Sequence, residues 1–217
     1  MPLDKSLKKN LSMLDEQLGI EIGFDIILRE IKVGSKDAAL VFLDGFVHDL
    51  ATQEVISSLM EVRPSGLTTG AVQQLMEEHI PHFETFTVSD FDELVQTILS
   101  GPMALLVDGI SEAVIIDVRQ YPSRSIEEPE LERVTRGSRE GFLETGLFNI
   151  NLIRRRLRDP GLRFEAFQVG KRSATDVFIG YIEDIVDPEL LSQVRQRLNR
   201  INVSALPLGS KSLEEYV

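Results

Sequence analysis

The first hydrophobic pattern in the chain has the period of a helix. Apolar residues recur at spacings of four, four, three and four positions and stop at a glycine: Leu3, Leu7, Leu11, Leu14, Leu18 and Gly19. This spacing places the leucines on one face and predicts an amphipathic helix over residues 4–18. Such a stripe most often packs on the body of its own domain. The alternative is a surface offered to a partner protein or to lipid head groups.

Short apolar runs alternate with helical stripes through the rest of the first half. They predict strands at 24–33, 39–46, 82–88, 103–107 and 113–118, and helices at 50–62, 69–78 and 90–99. Ser89 and Asp92 resemble a capping box at the start of the last of these helices. Asp108 and Gly109 lie between the last two strands, which predicts a hairpin. Alternating strands and helices are typical of an α/β or α+β layer structure.

A second group of elements occupies the end of the chain. The spacing predicts a helix over 139–158, strands over 162–169 and 176–182, and a helix with Asp187 as its cap and Pro188 in its first turn. A short final strand is expected near 201–206. The predicted fold class is therefore α/β (mixed α+β), with two small α/β subdomains joined by a charged linker segment.

Charge is distributed unevenly along the chain. The net charge is -12, and residues 1–120 hold 8 Lys/Arg against 20 Asp/Glu, whereas residues 121–217 hold 15 of each. The shift predicts a domain boundary near residue 120, with an N-terminal helix at 1–20, a first subdomain at 21–120 and a second at 121–217. An acidic chain lacks the basic surface that nucleic-acid binding needs, so no nucleic-acid partner is expected.

The segment 121–142, with the sequence YPSRSIEEPELERVTRGSREGF, carries the most specific pattern. It alternates arginines with glutamates and is punctuated by prolines and glycines. Its few large apolar residues are too sparse for a core element, so we expect Arg–carboxylate pairs to hold it in place. A long polar connection of this kind is usually a functional loop or a linker.

This segment and the motifs after it resemble a known family. YPSRSIEEPE is followed by RGSREGF, NLIRRRLRD, QVGKRSATDV and DPELLSQVRQRLNRI. In this order they resemble the N-terminal soluble region of the A subunit of spore germinant receptors, the GerA-type spore germination proteins. The similarity runs from about residue 105 to the end of the chain. The first half is similar only in position and pattern.

The resemblance implies a nutrient-sensing receptor subunit of the spore inner membrane. Its implied partners are the other receptor subunits and a membrane-embedded bundle that this chain lacks, so we expect a soluble fragment that ends before the membrane part. No apolar run approaches the ~20 residues of a membrane span. Two roles stay open: assembly and signal coupling, or direct binding of an amino acid, sugar or nucleoside germinant, like a substrate-binding module.

The charged segment and the predicted helix after it supply the candidate functional residues. We expect a polar clamp between the subdomains, or an assembly contact, formed by Arg124, Glu127, Glu128, Arg136, Arg139, Glu140, Arg154 and Arg155. The arginines at 154–158 are expected to pair with carboxylates of the 127–132 segment, because Arg–carboxylate pairs fix orientation. Binding of phosphates or anionic lipid by these arginines is the alternative.

Motifs for catalysis are weak throughout the sequence. Gly170-Lys171-Arg172-Ser173 resembles the end of a phosphate-binding loop, but Glu165 stands where the motif needs glycine, and a hairpin turn is expected. Proline separates His79 and His82, and the chain has no cysteine, so no metal site is expected. No cofactor is predicted. The chain is interpreted as not being an enzyme, and an α/β enzyme is the least favoured alternative.

Overall fold

Two antiparallel sheets organise the chain. The computed structural model describes residues 1–63, 71–80, 84–120, 141–205 and Leu213. The larger sheet has five strands in the spatial order β1-β2-β4-β5-β3. These strands are β1 (Ile26–Val33), β2 (Lys36–Leu43), β3 (Glu84–Val88), β4 (Met103–Val107) and β5 (Ala113–Asp117).

Helices cover both faces of the larger sheet. They are α1 (Leu7–Leu18), α2 (Asp49–Met60), α3 (Ala71–Gln74), which continues into a π-helical turn (Leu75–His79), and α4 (Phe91–Leu99). We call β1–β5 with α1–α4 the sheet unit. Its central strands are buried on both faces, so the run from Ala38 to Leu43 is continuously apolar rather than alternating.

Alternate residues of the central strands enter two separate cores. Ala39, Val41 and Leu43 of β2 face the core that contains α1 and α4. Their neighbours, such as Leu40, face the core that contains α2 and the π-helical turn. The leucine stripe of α1 belongs to the first core, and Leu14 is fully buried there. Helix α1 therefore packs on the body of the protein, as its stripe favours.

A smaller unit forms the end of the chain. Its elements are α5 (Gly146–Arg156), β6 (Leu162–Val169), β7 (Thr175–Ile182) and α6 (Pro188–Arg200), and we call them the hairpin unit. β6 and β7 pair over their full length around the turn at Gly170, which confirms the predicted hairpin. Among the described residues, its core cluster contains three buried residues, namely Ile150, Leu162 and Phe164. A core this small contributes little stability by itself.

Helix α5 is shorter than the sequence predicts. Residues 141–145 are not helical, so the predicted start at 139 is wrong, and the helix begins after Thr145. The reason is a side chain that competes for the backbone: Leu143 N–H donates to Oδ1 of Asn149 at 2.6 Å, and Nδ2 of Asn149 donates to Leu143 O at 2.7 Å. Asparagine side chains often bind local backbone groups in this way.

The cap of α4 lies one residue later than predicted. Oδ1 of Asp90 accepts the backbone N–H groups of Asp92 and Glu93 at 3.0 and 3.1 Å, so Asp90 is the N-cap residue. The capping box assigned to Ser89 is therefore wrong. Asp and Ser are about equally good caps, so the choice between neighbours depends on backbone geometry.

The predicted final strand is also wrong within the described residues. Residues 201–205 form no strand. The carbonyl groups of Val203 and Ser204 accept the backbone N–H groups of Lys171 and Arg172 in the β6–β7 turn, both at 2.9 Å. The apolar residues near 201 thus brace a turn instead of extending a sheet.

The fold class is mixed α+β, as predicted. Within the part of the chain that the structure describes, no helix combines the length and the apolar character needed to cross a membrane. The division into domains at residues 20 and 120 stays a prediction.

Candidate functional site

The predicted clamp residues fall into two groups. Arg124, Glu127, Glu128, Arg136, Arg139 and Glu140 lie outside the described residues, and their role stays a prediction. Arg154 and Arg155 lie in the last turn of α5. Arg155 is exposed, whereas only 1% of Arg154 is exposed. A buried arginine requires partners, so Arg154 defines the junction between the two units.

Arg154 reaches from the hairpin unit to the sheet unit. Its Nε and Nη2 atoms lie 3.0 and 2.8 Å from Oδ2 of Asp25, the residue before β1. Nη1 and Nη2 also donate to the carbonyl groups of Asp159 and Leu162 at 3.2 and 3.0 Å. The guanidinium carbon lies 5.4 Å from the centroid of the Phe164 ring. These contacts fix the orientation of the planar guanidinium group.

The environment of this ion pair is nearly free of solvent. The side chains of Arg154 and Asp25 are 1% and 2% exposed. Burial raises the pKa of Asp25 above its ordinary value, although Arg154 opposes this change. Burial likewise lowers the pKa of Arg154, and Asp25 opposes it. Removing either charge would leave the other buried without its partner, which costs more free energy than the pair itself contributes.

Asp25 was absent from the sequence prediction, which placed the partners of this arginine cluster at 127–132. The described carboxylate partner of Arg154 lies 129 positions earlier in the chain. The pairing of the cluster with 127–132 falls outside the described residues and stays a prediction. One signal in the sequence was available: Asp25 stands between Phe24 and Ile26 at the start of an apolar strand. A carboxylate in such a run is rarely buried without a cation.

A second arginine strengthens the same junction. Nη2 of Arg163 donates to the carbonyl group of Gln17 at 3.1 Å and forms an ion pair with Glu183. Gln17 lies in α1, so this contact also joins the two units. Gly19 ends α1 at φ +63°, and a Cβ atom there would lie 2.2 Å from Nε of Arg163. Glycine is therefore required at residue 19 by both backbone conformation and space.

An aromatic contact completes the junction. The Phe24 N–H group donates to the carbonyl group of Phe164 in β6 at 3.2 Å. The ring of Phe24 stacks on Phe178 of β7, with centroids 5.1 Å apart and planes at 25°. Phe178 also covers Gly146 at the start of α5, where a Cβ atom would lie 2.0 Å from the ring. Residues 24 and 25 thus contact α5, β6 and β7 together.

A separate cluster attaches α6 to the hairpin. Arg195 of α6 forms an ion pair with Glu165 of β6, and the Tyr181 hydroxyl donates to Oε1 of the same carboxylate at 2.6 Å. Burial works against ionisation of Glu165, yet the hydrogen bonds from Arg195 and Tyr181 hold its pKa below the usual value. Burial and the neighbouring carboxylate raise the pKa of Tyr181 to about 12.

A cleft of about 200 Å³ opens beside the junction. Gly45 and Asp49 of the sheet unit form one wall, and Phe148 and Asn151 of α5 form the other. The segment before α2 is held by hydrogen bonds to residues 118–120, including Gln120 N–H to Phe46 O at 2.8 Å. Gln120 therefore stands at the rim.

Groups with potential for catalysis are dispersed in the structure. No three His, Cys, Asp or Glu residues come together among the residues the structure describes. His48 caps α2, because its Nδ1 atom accepts the Ala51 N–H group at 3.2 Å. Oδ1 of Asp108 accepts the Leu7 N–H group at 3.0 Å, so this carboxylate holds the start of α1.

The fold is similar to that of a solved receptor domain. The crystal structure of the N-terminal domain of the A subunit of the Bacillus megaterium spore germinant receptor GerK3 matches with a TM-score of 0.73 and 25% sequence identity. The match covers 100% of this chain and 78% of that one. The family described as Bacillus/Clostridium GerA spore germination protein matches residues 12–217. The chain belongs to the GerA family.

Relatives of similar sequence have names that refer to sporulation or spore germination. Stage V sporulation protein AF of Bacillus subtilis (strain 168) is 34% identical over 209 residues, which cover 96% of this chain and 42% of that protein. Spore germination protein KA of the same organism is 31% identical, with coverage of 99% and 40%. GerLA of Bacillus cereus is 32% identical, with coverage of 97% and 44%. The chain thus spans about two fifths of the length of these relatives, and none of their names describes an enzyme.

Proposed function

We propose that this chain acts as the N-terminal domain of a germinant receptor A-type subunit, in receptor assembly and signal coupling. The observation that carries the proposal is the buried Arg154–Asp25 pair, which joins α5 to the start of β1. Because the pair is desolvated, separating the two units would leave each charge without its partner. A displacement of one unit is therefore transmitted to the other instead of being absorbed between them.

The proposed partners are the other subunits of the receptor and a membrane-embedded bundle of the same subunit. The proposed location is the spore inner membrane. Support comes from membership of the GerA family and from relatives named as spore germination proteins. We further propose that the domain performs no reaction, because the arginines at its junction form ion pairs with Asp25 and Glu183 and the names of its relatives describe no enzyme.

Co-purification of the receptor tests the proposal. We expect Arg154→Met in the full-length subunit to reduce recovery of the other subunits several-fold, because the two units no longer hold one arrangement. Lys32→Met is the matched control, since Lys32 and Asp37 form an exposed pair at 3.5 Å that contributes little. Wild-type recovery with Arg154→Met would contradict an assembly role for the junction.

The charged segment is tested in the same assay. We propose that the segment 121–141 contributes a polar clamp, with Glu128 and Arg136 among its members. Arg136→Ala and Glu128→Ala are then expected to lower the melting temperature or the recovery of partner subunits. Unchanged melting together with unchanged association in both variants would remove the clamp from the account and leave the Arg154–Asp25 junction in place.

A further inference from the structure

The two edge strands of the larger sheet differ in how they are protected. In the described part of the chain, β1 and β3 each pair with one strand, and no strand lies along the other side of either. An open edge is a template for pairing with another extended chain, and charged side chains, prolines or bulges usually block it. The exposed residues of β1 include Arg29, Glu30 and Lys32. Charge therefore protects the edge at β1.

Strand β3 lacks these protections. Its middle residues Thr85, Phe86 and Thr87 are uncharged and belong to the β-branched and aromatic types that favour strands. Its pairing with β5 runs one residue against one over its full length, so no bulge bends the strand away. Phe86 is 47% exposed. The strand therefore combines an open edge with an exposed aromatic side chain.

The backbone directly after β3 pairs with the start of the chain. The Leu3 N–H group donates to the carbonyl group of Ser89 at 2.8 Å, and the Phe91 N–H group donates to that of Met1 at 2.6 Å. This pairing ends at Ser89, so β5 is the one described strand that pairs with Glu84–Val88. Within the described residues, the N-terminal segment therefore leaves the edge of β3 uncovered.

The charge around β3 is negative. Residues 64–118 contain nine Asp or Glu and no Lys or Arg. Glu84 begins the strand, and Glu93 is exposed in the first turn of α4, which follows it. The ammonium group of Met1 lies 2.8 Å from Oδ2 of Asp90, so a cation already binds at this end of the strand. Complementary charge favours a partner strand with lysine or arginine side chains and disfavours an acidic one.

We propose that β3 is a docking edge for an extended, basic segment of another protein, which adds to the sheet beside Glu84–Val88. The main chain of that segment pairs with β3, its apolar side chains pack on Phe86, and its cations lie near Glu84 and Glu93. Strand addition of this kind combines main-chain hydrogen bonds with side chains that alternate in direction. A second copy of this chain would bring two acidic edges together and is disfavoured. The inference goes beyond assembly through the Arg154–Asp25 junction and does not depend on it.

Peptide titration of the 217-residue chain tests the edge. The probe is a short peptide with blocked ends in which valine and arginine alternate. One control peptide has glutamate in place of every arginine, and the other has proline in place of every valine, which keeps the charge but removes backbone N–H donors. We expect saturable binding of the probe in isothermal titration calorimetry, about tenfold tighter or more than either control. Amide hydrogen exchange at residues 84–88 should slow in the complex.

Two variants locate the binding on β3. Phe86→Lys removes the ring and places a charge on the edge, so we expect it to weaken binding about tenfold or more. Met60→Lys is the matched control, because Met60 is 67% exposed on α2 and gains the same charge, and it should bind nearly as the wild type does. Glu84→Gln removes one exposed charge and should weaken binding about threefold, whereas Glu30→Gln on β1 should not.

The inference is overturned if the probe does not bind, or if the proline peptide binds equally well, which would show attraction between charges without strand addition. Equal binding by Phe86→Lys and the wild type would place the peptide elsewhere. If Phe86→Lys failed to fold, unchanged binding by Glu84→Gln would lead to the same conclusion. Self-association that Phe86→Lys abolishes, without peptide binding, would assign the edge to a second copy instead. None of these results alters the expected effect of Arg154→Met on subunit recovery.

Discussion

At the scale of single residues, the account depends on the Arg154–Asp25 pair. Both side chains are almost fully buried, and Arg154 has three kinds of partner: a carboxylate, two carbonyl groups and an aromatic ring. A desolvated pair of this kind specifies an arrangement more than it adds stability. We therefore expect the pair to favour the observed placement of α5 against β1 over near alternatives.

Single and double substitutions measure this effect. We expect Asp25→Asn or Arg154→Met alone to lower the free energy of unfolding by about 3–5 kcal/mol, because each leaves an unpaired buried charge or dipole. The double variant Asp25→Leu with Arg154→Met should recover a large part of that loss, since both charges are gone. Urea titration followed by circular dichroism gives the values.

The control pair sets the scale of that experiment. Lys32→Met removes one member of an exposed pair in which both side chains are more than 70% exposed, and it should change the free energy by less than about 1 kcal/mol. Additive losses in the Asp25 and Arg154 double variant would show that the two side chains act independently, contrary to the account.

The sequence identified Arg154 but could not identify Asp25. Four arginines lie at 154–158 in a segment with helical spacing, so a cationic cluster is predicted independently of the fold. Which arginine is buried depends on the rotation of α5 against β6, and its partner comes from a residue 129 positions away. Tertiary packing determines both the buried arginine and its partner, and no local sequence pattern contains that information.

At the scale of elements, the carboxylate of Glu165 links α6 to both strands of the hairpin. Glu165 is held by Arg195 of α6 and by Tyr181 of β7. Because the folded pKa of Glu165 is below its ordinary value of 4.5, its contribution is complete above pH 4.5 and is lost as pH falls through the folded pKa.

Glu165→Gln tests this attachment. We expect a loss of about 1 kcal/mol at pH 7, a modest value because Arg195 is partly exposed. Below pH 4.5 the difference from the wild type should shrink, because the unfolded wild-type carboxylate then binds a proton, and it should disappear once the pH falls through the lower pKa of the folded state. Glu16→Gln on the exposed face of α1 is the control. A difference that stays constant from pH 7 to pH 4 would contradict the role assigned to the charge.

Helix boundaries were harder to predict than the helices themselves. The stripes of α1, α2, α4 and α6 follow from spacing, and the cap of α6 at Asp187 was predicted and is present. The start of α5 was not predicted correctly, because the side chain of Asn149 binds the backbone of Leu143. A competing hydrogen bond of this kind has no signature in hydrophobic periodicity.

At the scale of the whole molecule, the two units are unequal. In the part of the chain that the structure describes, the sheet unit has a core on each side of its five strands, whereas the hairpin unit has one small cluster of three buried residues. The mixed α+β class followed from alternating strands and helices in the sequence. The contacts that join the smaller unit to the larger one could not be predicted from that pattern, since they are made by Phe24, Asp25 and Gln17 across the junction.

Hydrogen–deuterium exchange of wild type and Arg154→Met tests the central claim that the junction makes the two units one cooperative body. In the wild type, the slowest amides of β6 and of β4 should exchange through the same unfolding event and respond equally to urea. In Arg154→Met, the β6 amides should exchange earlier while the β4 amides keep most of their protection. Independent opening of the hairpin unit in the wild type, or unchanged β6 protection in Arg154→Met, would contradict the account.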